Sequence, residues 1–345
     1  MITQAAGKVQ SVTDWDQDAQ ELTVRLELET RRAVNYPALT GPASVGDDVL
    51  LNTTAQTLKL GTGGFDFVIA NLSHALPNPR SAEMGHIVKG RYLPCQQAVL
   101  TLEEQEKHAA VWEKTLEDLP VLVGQVHSQI APAAAGLSLA GKRRVAYVMT
   151  DAAALPLAFS HLVRDLKAAG LIHATLTCGQ AWGGDYETVT LHSALLAVKH
   201  VLGFDAAIVC QGPGSAGTGT KYGFSGIEQA QNLDIVKALG GRPVAIVRMS
   251  SGDKRERHQG ISHHTRTALD LAYSRSLVAL PAGADTGGLP PGHDVRLIEN
   301  VQAALDLLAD RGVVVTTMGR TPAQDPAFFE AAAAAGLALL QQPTN

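Results

Sequence analysis

The chain has 345 residues, 46% of them hydrophobic, and a formal net charge of -5 at pH 7. That length supports a large core and two domains rather than one. The mildly acidic balance and an aromatic content of 5% provide no basic face with interleaved stacking rings, which counts against nucleic-acid binding. The chain contains no run of about 18 apolar residues, and Met1-Ile2-Thr3-Gln4 does not begin a basic-then-apolar leader, so a cytoplasmic protein without membrane contact is expected. Cys95, Cys178 and Cys210 are odd in number and widely spaced, which argues against a disulfide framework and against a thiolate zinc site.

Up to about residue 95 the pattern is short strands separated by turns. They are expected over Gly7 to Val12, Glu21 to Leu28, Arg31 to Tyr36, Asp48 to Asn52, Phe65 to Ala70 and His86 to Tyr92. Alternation is clearest in Leu22-Val24-Leu26-Leu28, the mark of a half-buried antiparallel strand. Turn signals at Gly41-Pro42, Gly46-Asp47 and Gly61-Thr62-Gly63-Gly64 make residues 1–98 a small all-β domain, barrel-like or sandwich-like. Residues 99–120 read as a helical linker. Thr101 and Glu104 have capping-box spacing there, and the charged segment to Glu117 suits a helix lying across a surface.

From Val121 the rhythm becomes apolar strand, polar or glycine-rich loop, amphipathic helix. Strands are expected over Val121 to Val126, Arg144 to Met149, Ala174 to Cys178, Ala206 to Cys210, Pro243 to Arg248, Ser276 to Leu280 and Val313 to Thr317. Their continuous Val, Ile, Leu and Ala content fits strands buried on both faces of a parallel sheet. Helical stripes run through Leu155, Phe159, Leu162, Val163 and Leu166, then Leu191, Ala194, Leu195, Val198 and Leu202, then Ile298, Val301, Ala304, Leu305 and Leu308. Residues 121–345 are therefore expected to form a doubly wound α/β domain with a mainly parallel, Rossmann-like sheet. Ligands in such folds sit beyond the carboxyl ends of the strands. Asp151, the Cys178 to Asp185 loop, the Gln211 to Gly226 loop and the Ser250 to Thr265 segment fall at those ends.

Gly212-Pro213-Gly214-Ser215-Ala216-Gly217 has the spacing of the dinucleotide fingerprint. The helix that should begin at its last glycine starts only near Ser225, where Ser225 and Glu228 repeat the capping-box pattern, so a dinucleotide is not supported. The phosphate-loop pattern fails too, because Thr220 and Lys221 follow Gly219 in the wrong order. What remains is generic. Six glycines between Gly212 and Gly226 let main-chain amides approach a ligand, and Thr218, Thr220 and Lys221 add donors suited to phosphate or carboxylate. Gly212, Gly214, Gly217 and Gly219 are thus candidate ligand-binding positions, with a long structural loop as the plain alternative.

Arg242 to Arg266 holds six Lys or Arg residues against Asp253 and Glu256, a local excess that suggests an anionic ligand. His258 and His264 are candidate proton carriers, with His263, Arg255 and Arg257 as ligand-binding residues. A divalent metal, magnesium or zinc, is the other option, with Asp253, His258 and His263 as candidate ligands. The spacing counts against a full histidine triad, because His263 and His264, being adjacent, should project in different directions. The plain reading is a helix capped by Ser262 with the histidines supporting a loop. Asp151 and Asp185, just past strands, are candidate catalytic carboxylates or simple turn caps. Cys178, just before Gly179, reads as a small buried hydrophobe in preference to a nucleophile, and Trp182 either stacks on a planar ligand or closes the sheet edge.

Gly61-Thr62-Gly63-Gly64, Gly85-His86 through Arg91-Tyr92, Gly179-Gln180 through Gly184-Asp185, the 212–220 loop and Arg257-His258 through His264-Thr265 together resemble a bacterial family known only as domain of unknown function 3866. The resemblance runs over nearly the whole chain. It implies that the barrel-like and α/β parts belong to one protein, and it adds Gly61 to Gly64, His86, Lys89 and Arg91 as candidates for the same crevice. It implies no activity. The expected function is an enzyme of transferase or hydrolase type acting on a small phosphorylated or carboxylated metabolite. The alternatives are a regulatory protein that binds a nucleotide or metabolite without turnover and a protein-interaction module. The sequence leaves a homo-oligomer open.

Overall fold

Leu22 and Val24 are buried while Thr23 and Arg25 between and beside them are not, and Val49 and Leu51 with Leu50 between them repeat this period-two pattern. In the computed structural model, which describes residues 2–61, 63–74 and 85–340, the chain divides into Met1–Leu100 and Thr101–Asn345. In the first unit β1 (Gln4–Asp14), β2 (Gln20–Arg25), β3 (Thr30–Asn35), β4 (Asp48–Asn52) and β5 (Asp66–Asn71) close into a barrel in the order β1-β2-β3-β5-β4. Two short helices, α1 (Pro37–Thr40) and α2 (Thr54–Thr57), lie in the connections. Val9, Leu22, Val24, Ala33, Val49, Leu51 and Val68 fill the interior, and closure leaves no unpaired edge.

The strand expected from His86 to Tyr92 is shortened to β6 (Ile87–Lys89), paired only with β7 (Gln97–Val99). Gly90 and Tyr92 have φ of +65° and +64°, values that extended strand cannot accommodate. Of the expected turn at Gly61 to Gly64, Thr62 lies outside the described residues.

The segment expected as a helical linker is not an α-helix. Leu102–Glu104 and Glu106–Val111 are 3₁₀ turns. The Thr101 capping box does form, with the Thr101 N–H donating to Glu104 Oε2 at 3.0 Å. Leu102, Val111 and Leu116 are buried in the core of the second unit, so the segment is part of that core.

The second unit is built on an eight-stranded sheet. Its strands are β8 (Pro120–Val123), β9 (Val145–Thr150), β10 (Ala174–Thr177), β11 (Tyr186–Glu187), β12 (Ala206–Gln211), β13 (Arg242–Ala245), β16 (Leu277–Pro281) and β17 (Asp294–Ile298). A two-residue hairpin, β14 (Met249–Ser250) with β15 (Gly260–Ile261), stands apart from them. Every pairing in the large sheet is parallel, so both faces need helical cover. Alternate residues of β9 show this cover. Val145, Tyr147 and Met149 pack with α3 (Ile130–Leu139), α4 (His161–Ala168), α8 (Gln302–Asp310) and α9 (Pro326–Leu337). Ala146 and Val148 pack with α5 (Leu191–His200), α6 (Gln229–Ala238) and α7 (His263–Leu271).

Two expectations fail at the carboxyl-terminal end. Val313 to Thr317 is no strand: Val313 and Val315 are buried in the core, but the segment joins no ladder and has only a bridge at Thr317. The eighth strand is β17, whose polar Asp294 and Arg296 disguised an edge strand, and Ile298, expected in a helix, closes it. Among the described residues no helix is long and apolar enough to cross a membrane.

The sheet order is β11-β10-β9-β12-β8-β13-β16-β17. From β8 the chain moves to one side through β9, β10 and β11, returns through β12, and continues on the other side of β8 through β13. The carboxyl ends of β12, β8 and β13 therefore flank the point where strand order reverses, and the loops leaving them part toward opposite faces.

Candidate functional site

Those three loops enclose a cavity of ≈ 150 Å³ whose wall includes Gln125 from the β8 loop, Ser215 to Gly217, Gly219 and Phe224 from the β12 loop, and Arg248, Arg255, Arg257, His258 and His264 from the β13 loop. Main-chain and amide hydrogen bonds fix the frame. Gln125 donates through Nε2 to the His264 carbonyl at 3.1 Å and accepts at Oε1 from the Thr265 hydroxyl at 3.2 Å. Its own carbonyl accepts from Gln211 Nε2 at 2.7 Å. One glutamine after β8 thus ties the loops after β12 and β13 together.

The β12 loop folds back on itself. Thr218 N–H donates to the Gly223 carbonyl at 2.8 Å, and the Thr218 and Thr220 hydroxyls bond each other at 2.9 Å. These hydroxyls therefore shape the loop. Gly219 has φ +81°, with the Arg257 guanidinium 3.4 Å from where a Cβ would lie, so a larger residue there would be strained by its backbone conformation. Gly212 packs under Ala154, Gly214 faces open space, and Lys221 lies exposed over the Tyr222 ring at 5.1 Å. None of these three lines the cavity. The capping box expected at Ser225 and Glu228 does not form. Ser225 Oγ instead accepts from Ala216 N–H at 3.1 Å, and Glu228 takes the Thr150 hydroxyl at 2.6 Å, because the tertiary partners are closer than the local ones.

The three histidines come together, contrary to the spacing argument. His258, His263 and His264 rings have centroids 5.0, 4.9 and 4.3 Å apart. His258 precedes α7 in a 3₁₀ turn, and only this tertiary fold-back brings it over the α7 N-terminus. Ser262 caps α7, accepting from His264 N–H at 3.2 Å, and shares a 2.7 Å hydrogen bond with His258 Nδ1. Phe224 stacks flat on His264, 3.8 Å between centroids and 3° between planes, joining the β12 and β13 loops.

Burial and the arginines Arg248 and Arg255 push His258 down to about 4, with Asp253 opposing. Burial, Arg248 and the neighbouring rings push His264 down to about 3, and burial with Arg257 lowers His263. All three rings are neutral near pH 7. Arg248 donates through Nη1 to His264 Nδ1 at 2.9 Å. A guanidinium can only donate, so Nδ1 is the acceptor and the neutral ring carries its proton on Nε2.

The three rings offer nitrogens within 4.8 Å of one another, the geometry of a potential metal cluster. Two observations oppose it. A metal on His264 Nε2 would need the proton moved to Nδ1, where Arg248 already points a donor, and a metal on Nδ1 would displace that donor. Asp253 is also committed. It accepts twice from the Arg255 side chain at 2.9 and 2.7 Å and lies 3.6 Å from Arg320, and these bonds, led by that to Arg255, hold it well below the carboxylate range. This donor set fits a divalent metal poorly.

Asp151 and Asp185 are not brought to the cavity. Asp151 Oδ2 accepts from Gln180 N–H at 2.8 Å. Asp185 pairs with Lys167 at 2.6 Å and accepts from the Thr175 N–H and hydroxyl. Burial would raise the Asp185 carboxyl, but the Lys167 and Thr175 bonds outweigh it and lower it. Cys178 and Cys210 are buried. Trp182 joins Leu155 and Leu157 through its main chain.

Arg248, Gln125 and Phe224 were missed as site residues. Arg248 carried a signal, a cation directly ending the apolar run Pro243 to Val247. It is 6% exposed, and burial with Arg255, against Asp253, lowers it to about 10, so it remains a cation. Among the described residues no carboxylate pairs with it. Its contacts are His264 Nδ1 and Met318 Sδ, the latter at 4.0 Å.

The fold and site define a barrel joined in sequence to a parallel α/β unit, with a cation- and imidazole-lined cavity at the strand carboxyl ends. The chain belongs to the DUF3866 family of proteins of unknown function, whose family model matches residues 32–336. A search of curated proteins finds no match.

Proposed function

We propose that the cavity binds the anionic group of a small phosphorylated or carboxylated metabolite, and that the chain is an enzyme of the transferase or hydrolase class. The observation that carries this reading is Arg248, a buried cation without a carboxylate partner. An unpaired buried charge costs several kcal/mol, and an anion in the cavity supplies the missing partner. The Nε2–H of His264 and the amides of Ser215, Gly217 and Gly219, which line the cavity, add donors of matching sign.

The two histidines take different roles. His264 has its acceptor nitrogen occupied by Arg248, which leaves it as a hydrogen-bond donor to the anion. His258, with Nδ1 held by Ser262, keeps Nε2 as its remaining nitrogen and is neutral near pH 7, so it is the base that accepts a proton from water or a ligand hydroxyl.

The test is a turnover screen over phosphorylated and carboxylated metabolites, followed by His258→Asn on any substrate found. Turnover falls 10²- to 10⁴-fold while calorimetric affinity for that substrate changes by only a few-fold. Unchanged turnover removes the role of His258. Anion binding with no turnover of any metabolite leaves a binding protein instead.

A further inference from the structure

The charges around the cavity sort into a closed set and a remainder. Asp253 pairs with Arg255 at 2.7 Å, Arg320 reaches Asp253 at 3.6 Å and pairs with Asp325 at 3.0 Å. Asp325 is 0% exposed and also accepts from Ser250 Oγ and from the Ser251 and Gly252 N–H groups. Two arginines are thus neutralised by two aspartates. Arg248 and Arg257, which both line the cavity, have no carboxylate partner among the described residues. Lys254 and Glu256, also on this loop, are exposed and opposite in sign.

We propose that the anionic group held here is a dianion, the phosphate of a phosphomonoester, in preference to a carboxylate. This rests on the anion-binding reading above and narrows it. Two uncompensated guanidinium groups match two negative charges, and their planar forks suit a group with several terminal oxygens. A carboxylate brings one charge and two oxygens, enough for one guanidinium fork, and would leave Arg257, exposed to water, without an ionic partner. The three imidazoles add no charge near neutral pH. His264 Nε2–H is a further neutral donor.

The test is calorimetry of the full chain with methyl phosphate, sulfate and acetate at pH 7.5 and pH 5. The second ionisation of a phosphomonoester lies near pH 6, so its dianion falls about tenfold between these values while sulfate remains a dianion. Sulfate reports any titration of the groups around the ligand: His258, His263, His264, Asp253 and Asp325. The expected result is methyl phosphate affinity, relative to sulfate, about tenfold higher at pH 7.5 than at pH 5, with acetate at least tenfold weaker than methyl phosphate at pH 7.5. Arg257→Gln, at an exposed position, should retain the fold and lose most of the preference for methyl phosphate over acetate. Acetate binding as tightly as methyl phosphate, a pH-independent ratio to sulfate, or an unchanged preference in Arg257→Gln overturns the dianion assignment and leaves anion binding standing. Failure of all three anions to bind overturns both.

Discussion

Two cationic depressions lie at opposite strand ends of one sheet, with only β13 common to both. The one at the amino ends of β13, β16 and β17 is larger, ≈ 260 Å³, and is lined by Lys237, Arg242, Arg275 and Arg296. The one at the carboxyl ends is ≈ 150 Å³. Size and charge count would favour the first. Yet Lys237, Arg242 and Arg275 are exposed to water, and Arg296 pairs with Asp294 at 2.6 Å, so hydration already satisfies the cluster and nothing calls for a ligand. Arg248 is 6% exposed and forms no ion pair among the described residues, Asp253 and Asp325 acting on it only from beyond contact. What separates a site from a decorated surface is a charge that the fold has desolvated and left unpaired.

That contrast can be broken by experiment, most severely through the acids. Asp325→Ala removes the buried partner of Arg320 and three further donors, and should cost about 3–5 kcal/mol in urea unfolding. Asp294→Ala at the amino end, with a half-exposed side chain, should cost under about 1 kcal/mol. Equal losses would erase the distinction. Next in size, Arg248→Met should weaken methyl phosphate by about 2–5 kcal/mol in calorimetry, while Arg275→Met changes it less than about twofold; the reverse order would move the site to the other end of the sheet. Phe224→Leu keeps an apolar side chain at this buried position but removes the stack on His264, and should lower stability by about 0.5–1.5 kcal/mol with a few-fold loss of methyl phosphate affinity, since the ring contact between the two loops is lost.

A further expected effect is on pH dependence. His258 and His264 lie at about 4 and about 3 in the folded chain, below the ordinary 6.5. Between those values the unfolded chain binds protons that the folded chain refuses. The stability these rings contribute is therefore complete above pH 6.5 and is lost as pH falls toward 4. Urea midpoints followed from pH 7.5 to pH 4.5 should fall less steeply in His264→Asn than in the parent; an identical slope would mean that this ring is not held neutral by the cavity.

Much of this frame was legible in the chain. Period-two alternation in Leu22, Val24 and their neighbours marked the barrel strands, and unbroken apolar runs such as Ala206 to Cys210 marked strands buried on both faces. Both signals are local consequences of burial and repeat every two residues. β17 was illegible because an edge strand is apolar on only part of its surface, while Val313 and Val315 looked like a strand because core burial without a ladder leaves the same composition. Of the loops expected to share a site, those after β12 and β13 line one cavity, whereas Asp151 and the Cys178 to Asp185 loop do not reach it. The internal roles were not legible, because Thr218, Thr220, Asp151 and Asp185 have polar side chains that local partners satisfy, and composition cannot tell a committed donor from a free one.

The sequence by itself determined that a parallel sheet ends in a glycine-rich loop and in a segment dense in histidine and arginine, since backbone preference and hydrophobic period are written residue by residue. Only the tertiary structure decided that His258, His263 and His264 meet in one cluster, that Asp253 and Asp325 neutralise Arg255 and Arg320, and that Arg248 is left buried without a counter-ion. Asp253–Arg255 and Arg320–Asp325 are near in sequence, but the approach of Arg320 to Asp253 and the burial of Arg248 beside them join segments tens of residues apart, which only the folded chain brings together.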